Sequence, residues 1–209
     1  HKVLAVDYRL GPENKFPAAM DDALDSYVWL QQNGHTLGID PARVSVVGDS
    51  AGAVLALLVS ATASKGKMGH IPGAAGLIYP ADMTATTTNS RELLGGENII
   101  LTKELMTWFN QQFRTAEMSA DHPYVTALND AVPDNMPPTW ILTCGFDPLR
   151  DDGLRIEAKL KSLNAEVQHT EYSDLYHGFI GASALFAEVD DMVKSLGDFI
   201  KTRTRKPKS

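Results

Sequence analysis

Cysteine is nearly absent from this chain: Cys144 is the only one among 209 residues. That excludes an internal disulfide framework and a cysteine-rich metal site. It agrees with a reducing compartment, and a cytoplasmic location is the expectation. Long hydrophobic runs are missing too. The longest, Val54 to Val59 with a small-residue tail to Ala63, falls well short of the ~20 residues a membrane helix needs, so no membrane span is expected. Basic residues are outnumbered: 19 Lys and Arg face 26 Asp and Glu, and the formal net charge of −7 disfavours a nucleic-acid or anionic-membrane partner. The exception is local. Lys201, Arg203, Arg205, Lys206 and Lys208 crowd the C-terminal end, where the plain reading is a solvated, frayed tail. No internal repeat appears. Nor does a charged-plus-apolar leader; the first residues already read as the middle of a domain.

What is present is an ordinary globular composition, 44% apolar and 22% charged, in a length suited to one sizeable core. Lys2–Asp7, Arg43–Gly48 and Thr139–Gly145 are short runs rich in β-branched or large apolar residues and read as strands. Ala74–Tyr79 and Val167–Tyr172 are less regular strand candidates. Between them lie helical periods. Pro17 to Leu30 sets Met20, Leu24, Tyr27 and Val28 on one face, Ala53 to Ala63 is a good helix pattern, and Leu154 to Leu163 follows an acidic first turn. The stretch from Ile180 to Ile200 reads as one long closing helix. Such alternation implies an α/β fold, a mostly parallel sheet flanked by helices. The rhythm breaks at about 81–138, a Thr-rich loop, a helix candidate at Leu101–Phe113 and a proline-rich return. An insertion of that length is expected to be a cap-like segment or a plain surface excursion.

Gly48-Asp49-Ser50-Ala51-Gly52 fits G-x-S-x-G. Alone the pattern is weak, and a glycine-flanked serine that merely caps a helix is the plain alternative. Its context is stronger: an apolar strand precedes it and a helix pattern follows, the setting of a nucleophile elbow. Both glycines are expected to be required by a turn too tight for side chains. A serine hydroxyl needs a base to take its proton. Of six histidines, His1, His35, His70 and His122 lie at the first position or in polar and Gly/Pro-flanked loops. His169 lies within a strand pattern, where a structural role is expected. His177, in Tyr176-His177-Gly178-Phe179, sits between the last strand and the last helix, at the strand end where functional loops gather. A carboxylate must then fix that imidazole's tautomer, and Asp147 stands just past the strand ending at Cys144. Asp151 and Asp152 read instead as acids of the next helix's first turn. The order Ser, Asp, His is that of α/β-hydrolases.

These residues carry a resemblance that runs over nearly the whole chain. Asp7-Tyr8-Arg9-Leu10-Gly11-Pro12-Glu13 with Phe16-Pro17-Ala18-Ala19 is similar to the DYRLAPE…FPAA segment of the hormone-sensitive-lipase-like carboxylesterases, also called bacterial family IV. Gly48–Gly52 resembles that family's GDSAG elbow, Asp147–Gly153 its DPLRDEG loop and His177–Phe179 its HGF loop. The resemblance implies a single α/β-hydrolase domain over 1–209, with part of a helical cap at about 81–138. It also implies Ser50 as nucleophile, Asp147 as orienting acid, His177 as base and the Ala51 N–H as an oxyanion-hole donor. Three departures stand out. Gly11 occupies a position where alanine is usual, Asp152 replaces a glutamate, and Ala53-Val54 replace a glycine and an asparagine below the elbow. The family's HGGG segment lies upstream of DYRL, and this chain begins after it. By the resemblance the first three strands are missing with it, and Val3–Val6 loses the neighbour that would join it to Val44–Val47. On this expectation the chain is the C-terminal two-thirds of an enzyme. Alone it is not a competent esterase, and its open sheet edges pair with a second copy or with the missing N-terminal segment.

The implied function is hydrolysis of short-to-medium acyl esters through an acyl-enzyme. The substrate is a small-molecule ester, and no metal or organic cofactor is needed. Three alternatives stay open on sequence: amide or aryl-acetamide deacylation, an inactive fragment, and a non-catalytic ligand-binding protein on the same fold. Plant gibberellin receptors, which resemble the family but have lost triad chemistry, exemplify the last.

Overall fold

Apolar spacing decides what each segment becomes. Residues Ala18–Asn33 form α1, entered through Pro17 and burying Ala19, Met20, Leu24, Tyr27 and Leu30, the three-to-four spacing of one helix face. The helix ends at Gly34, where a short 3-10 turn leads to Gly38 in the left-handed region. Val46–Asp49 is β1, and Ala51–Ser64 is α2. The computed structural model describes residues 1–66, 68–83, 87–96, 100–129 and 132–205. Helix α2 is buried nearly all round, so it lies inside the molecule rather than on its surface. Ala75–Ile78 forms β2 and is wholly buried. Three helices follow in the insertion: Asn89–Leu94 (α3), Lys103–Phe113 (α4) and Pro123–Leu128 (α5). Thr139–Phe146 (β3), Arg150–Ser162 (α6), Val167–Tyr176 (β4) and Glu188–Arg203 (α7) complete the chain.

The four strands run parallel in the order β1-β2-β3-β4, with Val46 beside Ala75, Ala75 beside Thr139 and Thr139 beside Val167. Their period of two sorts side chains to the two faces. On β3, Trp140, Leu142 and Cys144 join a core with Val189, Met192, Leu196 and Phe199 of α7. Ile141 points the other way, to Ala53, Ala56 and Leu57 of α2 and Ile156 and Leu160 of α6. Helices thus cover both faces, as an all-parallel sheet requires. A third cluster packs the far side of α2, through Leu55, Leu58 and Val59, against Met20, Leu24 and Tyr27 of α1. No helix among the described residues is long and apolar enough to cross a membrane.

Three expectations need correction. Lys2–Asp7 forms no strand. Among the described residues no strand lies beside it, and β1 is paired on its β2 side alone, so the run has no ladder to join. Val3 is 90% and Val47 48% exposed in consequence. Extended as it is, the segment is held at Arg9, whose guanidinium forks onto Asp22 of α1 with bonds of 2.8 to 3.1 Å. Secondly, Ile180–Ile200 is not one helix. Phe179–Ala182 is a 3-10 turn that buries Phe179 against Tyr79, Tyr172 and Phe186, and the helical period starts only at Val189. Thirdly, Lys201 and Arg203 of the basic cluster belong to α7 rather than to a frayed tail, and Arg203 pairs with Glu166 and stacks on Phe199 at 3.6 Å. Lys206 and Lys208 lie outside the described residues.

The insertion leaves the sheet after β2, re-enters it at β3, and between them packs against α1 and the segment before it. Thr102 caps α4 by accepting the Leu105 N–H at 3.1 Å, and α4 buries none of its residues fully. Its end meets the chain's beginning: the Phe16 N–H donates to Phe113 O at 2.9 Å. A methyl group on Gly11 would stand 2.4 Å from Gln112 O, so the unusual glycine here matches a close backbone approach. From α5 the Tyr124 hydroxyl reaches Asp21 of α1 at 2.5 Å.

Between β1 and α2 the chain makes its sharpest reversal. Ser50 has φ 51° and ψ −117°, a conformation L-residues seldom adopt and one that costs ~1–3 kcal/mol. It is held there by the Ser50 N–H on Ile78 O at 2.9 Å and by the N–H groups of Ala53 and Val54 on its own carbonyl. The two flanking glycines are not equivalent. A methyl group on Gly48 would lie 2.1 Å from Gly52 O, whereas one on Gly52 would meet nothing within 4 Å. Of this pair Gly48 alone is sterically obligatory, which corrects the expectation for both.

Two substitutions test this packing. Gly48→Ala is expected to destabilise by more than about 1 kcal/mol in urea unfolding, because the added methyl has nowhere to go; an unchanged midpoint would contradict the tight turn. Leu58→Ala, at a fully buried site between α1 and α2, is expected to cost about 2–5 kcal/mol. A loss below half that range would mean that this core collapses to fill the space.

Candidate active site

Parallel alignment brings the C-terminal ends of β1, β3 and β4 to one edge of the sheet. Ser50 follows β1, Asp147 follows β3 and His177 follows β4. Their side chains form one hydrogen-bonded line. Ser50 Oγ lies 2.9 Å from His177 Nε2, and His177 Nδ1 lies 2.8 Å from Asp147 Oδ2. Asp147 is fully buried, and its second oxygen accepts the Leu149 N–H at 2.7 Å. A carboxylate on Nδ1 keeps a proton on that nitrogen and leaves Nε2 free to accept the serine proton. Ser50 is only partly covered. Ala51, the fourth sequence candidate, opens α2, so its N–H is one of the first-turn donors that has no acceptor inside the helix.

The reach of His177 depends on an irregularity between β3 and β4. Cys144 pairs with Tyr172 but Phe146 pairs with Tyr176, so β4 carries two extra residues. Gly145 makes room for them: a methyl group there would stand 2.0 Å from Ser173 O. Gly178 then turns the chain through a left-handed φ of 81° directly after the histidine.

The other histidines are used elsewhere. His169 bridges Thr143 Oγ1 at 2.8 Å and Glu157 Oε2 at 3.0 Å, the structural role expected of it. At the start of α5, His122 accepts the Tyr124 N–H at 3.2 Å and its ring meets Phe16 at 4.8 Å. His35 belongs to the 3-10 turn after α1, and the His70 N–H donates to Gln31. Cys144 lies beneath the site, but burial first, then the Asp147 and Glu171 charges, push its thiol well above the usual range and leave it inert.

Sequence reading missed Tyr79. This residue ends β2 with φ 37°, lays its ring 4.5 Å from the His177 imidazole and donates its hydroxyl to Asp49 Oδ2 at 3.2 Å. Burial foremost, and the Asp49 carboxylate after it, push the phenol far above the ordinary tyrosine value, so it stays a donor. An aromatic at the end of an apolar strand reads as core, and nothing in its spacing marks it out. Asp151 and Asp152 do stand in the first turn of α6, as read, but sequence reading missed their second role. Both are tethers to the insertion: Asp151 accepts the Ser90 N–H at 2.9 Å, while the fully buried Asp152 accepts the Asp82 N–H at 2.8 Å and pairs with Arg91. Burial drives the Asp152 carboxyl upward, against the opposing pull of Arg91.

Comparison with known proteins agrees with this fold. Residues 1–181 match a family model described as alpha/beta hydrolase fold. An ethyl acetate hydrolase of Pseudomonas putida is 32% identical over 90% of this chain and 59% of its own length. A carboxylic ester hydrolase of Mycobacterium tuberculosis, LipN, is 35% identical over 86% of this chain and 49% of its own length. The chain therefore spans about half to three-fifths of these two relatives. An esterase of Pyrobaculum calidifontis superposes with a TM-score of 0.86 at 35% identity, covering 94% of this chain and 64% of that one. The chain belongs to the α/β-hydrolase fold family, on its hormone-sensitive-lipase-like branch.

Proposed function

We propose that this protein is a serine carboxylesterase in which Ser50 is the nucleophile, His177 the general base and acid, and Asp147 the group that orients the imidazole. The single observation that carries the reading is the unbroken line from Ser50 Oγ through His177 to a buried Asp147. The names of the relatives support the substrate class. In the reaction Ser50 Oγ bonds to the ester carbonyl carbon as its proton passes to His177 Nε2. The carbonyl π electrons move onto oxygen, where the Ala51 N–H donates to the oxyanion. Collapse breaks the bond to the alkoxy group, which leaves as the alcohol with the proton from His177. Water then adds to the acyl-serine, giving its proton to the same nitrogen, and the second collapse releases the acid and returns Ser50. Asp147 stays ionised and stabilises the imidazolium in both halves. In this reading residues 81–138 are the cap that borders the acyl side of the site.

In the complete enzyme, labelling with a fluorophosphonate is expected at Ser50 and at no other serine. Ser50→Ala should abolish it, and His177→Gln should remove most ester turnover while the fold is kept. Asp147→Asn should lower kcat by about 10⁴, the size of the effect in a serine protease of another fold. Peptide mapping that placed the label elsewhere, or a fully active His177→Gln, would remove these residues from the mechanism.

Acyl range is a separate outcome. Each CH₂ buried in a cap-bordered site gains only ~0.8 kcal/mol, and overpacking of ~1–3 kcal/mol soon cancels it. Across p-nitrophenyl esters, kcat/KM should therefore peak between about two and eight acyl carbons. A monotonic rise out to palmitate would contradict a bounded acyl site.

A further inference from the structure

The loop that carries Asp147 is fastened from outside the sheet, by the first helix of the insertion. Ser90, in α3, is 5% exposed and turns its hydroxyl and its N–H to this loop. Its hydroxyl donates to Pro148 O at 2.7 Å and accepts the Asp151 N–H at 3.1 Å, while its own N–H donates to Asp151 Oδ2 at 2.9 Å. Arg91 beside it donates to Asp152 Oδ1 at 3.1 Å. Four groups in five residues of the loop and following helix are thus held by two adjacent residues of the insertion.

The bond to Pro148 has a particular consequence. The Pro148 carbonyl and the Leu149 N–H are the two poles of one peptide unit, and that unit is planar and stiff. One pole is held by Ser90; the other donates to Asp147 Oδ1 at 2.7 Å. Rotation of the plane would move both together. The orientation of the carboxylate, and with it the 2.8 Å bond from Oδ2 to His177 Nδ1, therefore rests on where the Ser90 hydroxyl holds the plane. Two further backbone bonds pin the turn, the Arg150 N–H on Asp147 O at 3.0 Å and the Gly153 N–H on Leu149 O at 3.2 Å, and neither touches the carboxylate.

We propose that Ser90 is a positioning residue for the site: by holding the Pro148–Leu149 peptide it aims the Asp147 carboxylate at His177, so that the insertion sets the geometry of the acid. The inference rests on the esterase reading above for its kinetic consequence, and on the hydrogen bonds alone for its spectroscopic one. Ser90→Ala removes the hydroxyl and leaves the Pro148 carbonyl buried without it. kcat for p-nitrophenyl butyrate is expected to fall tenfold or more with KM changed less than twofold. In an Asp147→Asn background the same substitution should cost less than twofold, because Ser90 acts through Asp147 and additivity fails between coupled groups. A merely structural loss would lower both backgrounds by the same factor, and that result, or an unchanged kcat, overturns the proposal.

A second readout does not need turnover. The proton shared by His177 Nδ1 and Asp147 gives a downfield NMR resonance, which should move or broaden in Ser90→Ala and remain in place in Ser90→Thr, where the hydroxyl is kept. These rates are those of the complete enzyme; if it hydrolyses no ester unsubstituted, the functional reading falls and this resonance still decides the role of Ser90. An identical resonance in Ser90→Ala overturns it. Should Ser90→Ala not fold, Ser90→Cys keeps the shape with a much weaker donor. A shifted resonance in that variant supports the positioning role, and an unmoved one overturns it.

Discussion

A carboxylate with no solvent exposure is tolerated only where its oxygens find donors, and Asp147 is such a group. One oxygen takes the Leu149 N–H and the other takes His177 Nδ1. Satisfying that demand draws in much of the molecule. The Leu149 N–H must be aimed, which ties the loop after β3 to the insertion. His177 must reach across from the end of β4, which requires the two extra residues opposite Gly145 and the left-handed Gly178 after it. Once the imidazole is fixed by its buried partner, its second nitrogen can point only along one line, and Ser50 stands on it. The buried charge therefore acts as the fixed point from which the accessible serine is aligned.

Strain is distributed in a way that agrees with this. Among the described residues, three other than glycine have positive φ. Asn164 is the ordinary case, the left-handed residue just past the C-terminal end of α6, where asparagine is a common substitute for glycine. Ser50 and Tyr79 have no such excuse, since they end neighbouring strands β1 and β2. They are joined through Asp49, which precedes the serine and accepts the tyrosine hydroxyl, and the Tyr79 ring, tilted 55° to the His177 imidazole at 4.5 Å, closes the circuit. Each conformation costs ~1–3 kcal/mol and persists because wholly buried elements lie behind it, β2 and the apolar α2. Local unfavourable geometry at the strand ends is offset by packing away from them.

Much of this was legible in the residues, and the failures share a cause. Helices and parallel strands declare themselves by period and by flanking glycines, so α1, α2, β2, β3 and β4 fall close to where spacing puts them. Ser50, Asp147 and His177 were readable because each sits in a short motif after a strand. Lys2–Asp7 has every local mark of a strand and still forms none, since a strand exists only beside another and pairing is not a local property. Phe179 carried no sign that burying it would break the last helix in two. Tyr79, Ser90 and Asp152 were missed for a related reason. Their chemistry comes from partners 30 to 98 residues away: Asp49 and His177, Pro148 and Asp151, Arg91 and Asp82. A buried aspartate tethering a helix and an exposed one complementing its dipole look alike in a sequence.

The same molecule contains a second line of the same kind, and comparing the two shows what hydrogen bonds alone do not provide. Thr143 Oγ1, His169 and Glu157 are joined by bonds of 2.8 and 3.0 Å, as close as those joining Ser50, His177 and Asp147. The hydroxyl, the imidazole and the carboxylate are all present. Thr143, however, lies within β3 at 1% exposure, on relaxed strand backbone, with Glu171 as a further neighbour at 3.4 Å. Buried within the sheet, it is closed to an acyl carbon. Ser50 differs in backbone rather than in partners: the elbow lifts it off the strand end, leaves it partly open and places the first N–H of α2 alongside. One line clamps β3, β4 and α6 together. The other, with the same bonding pattern, is raised to the edge where a substrate could meet it.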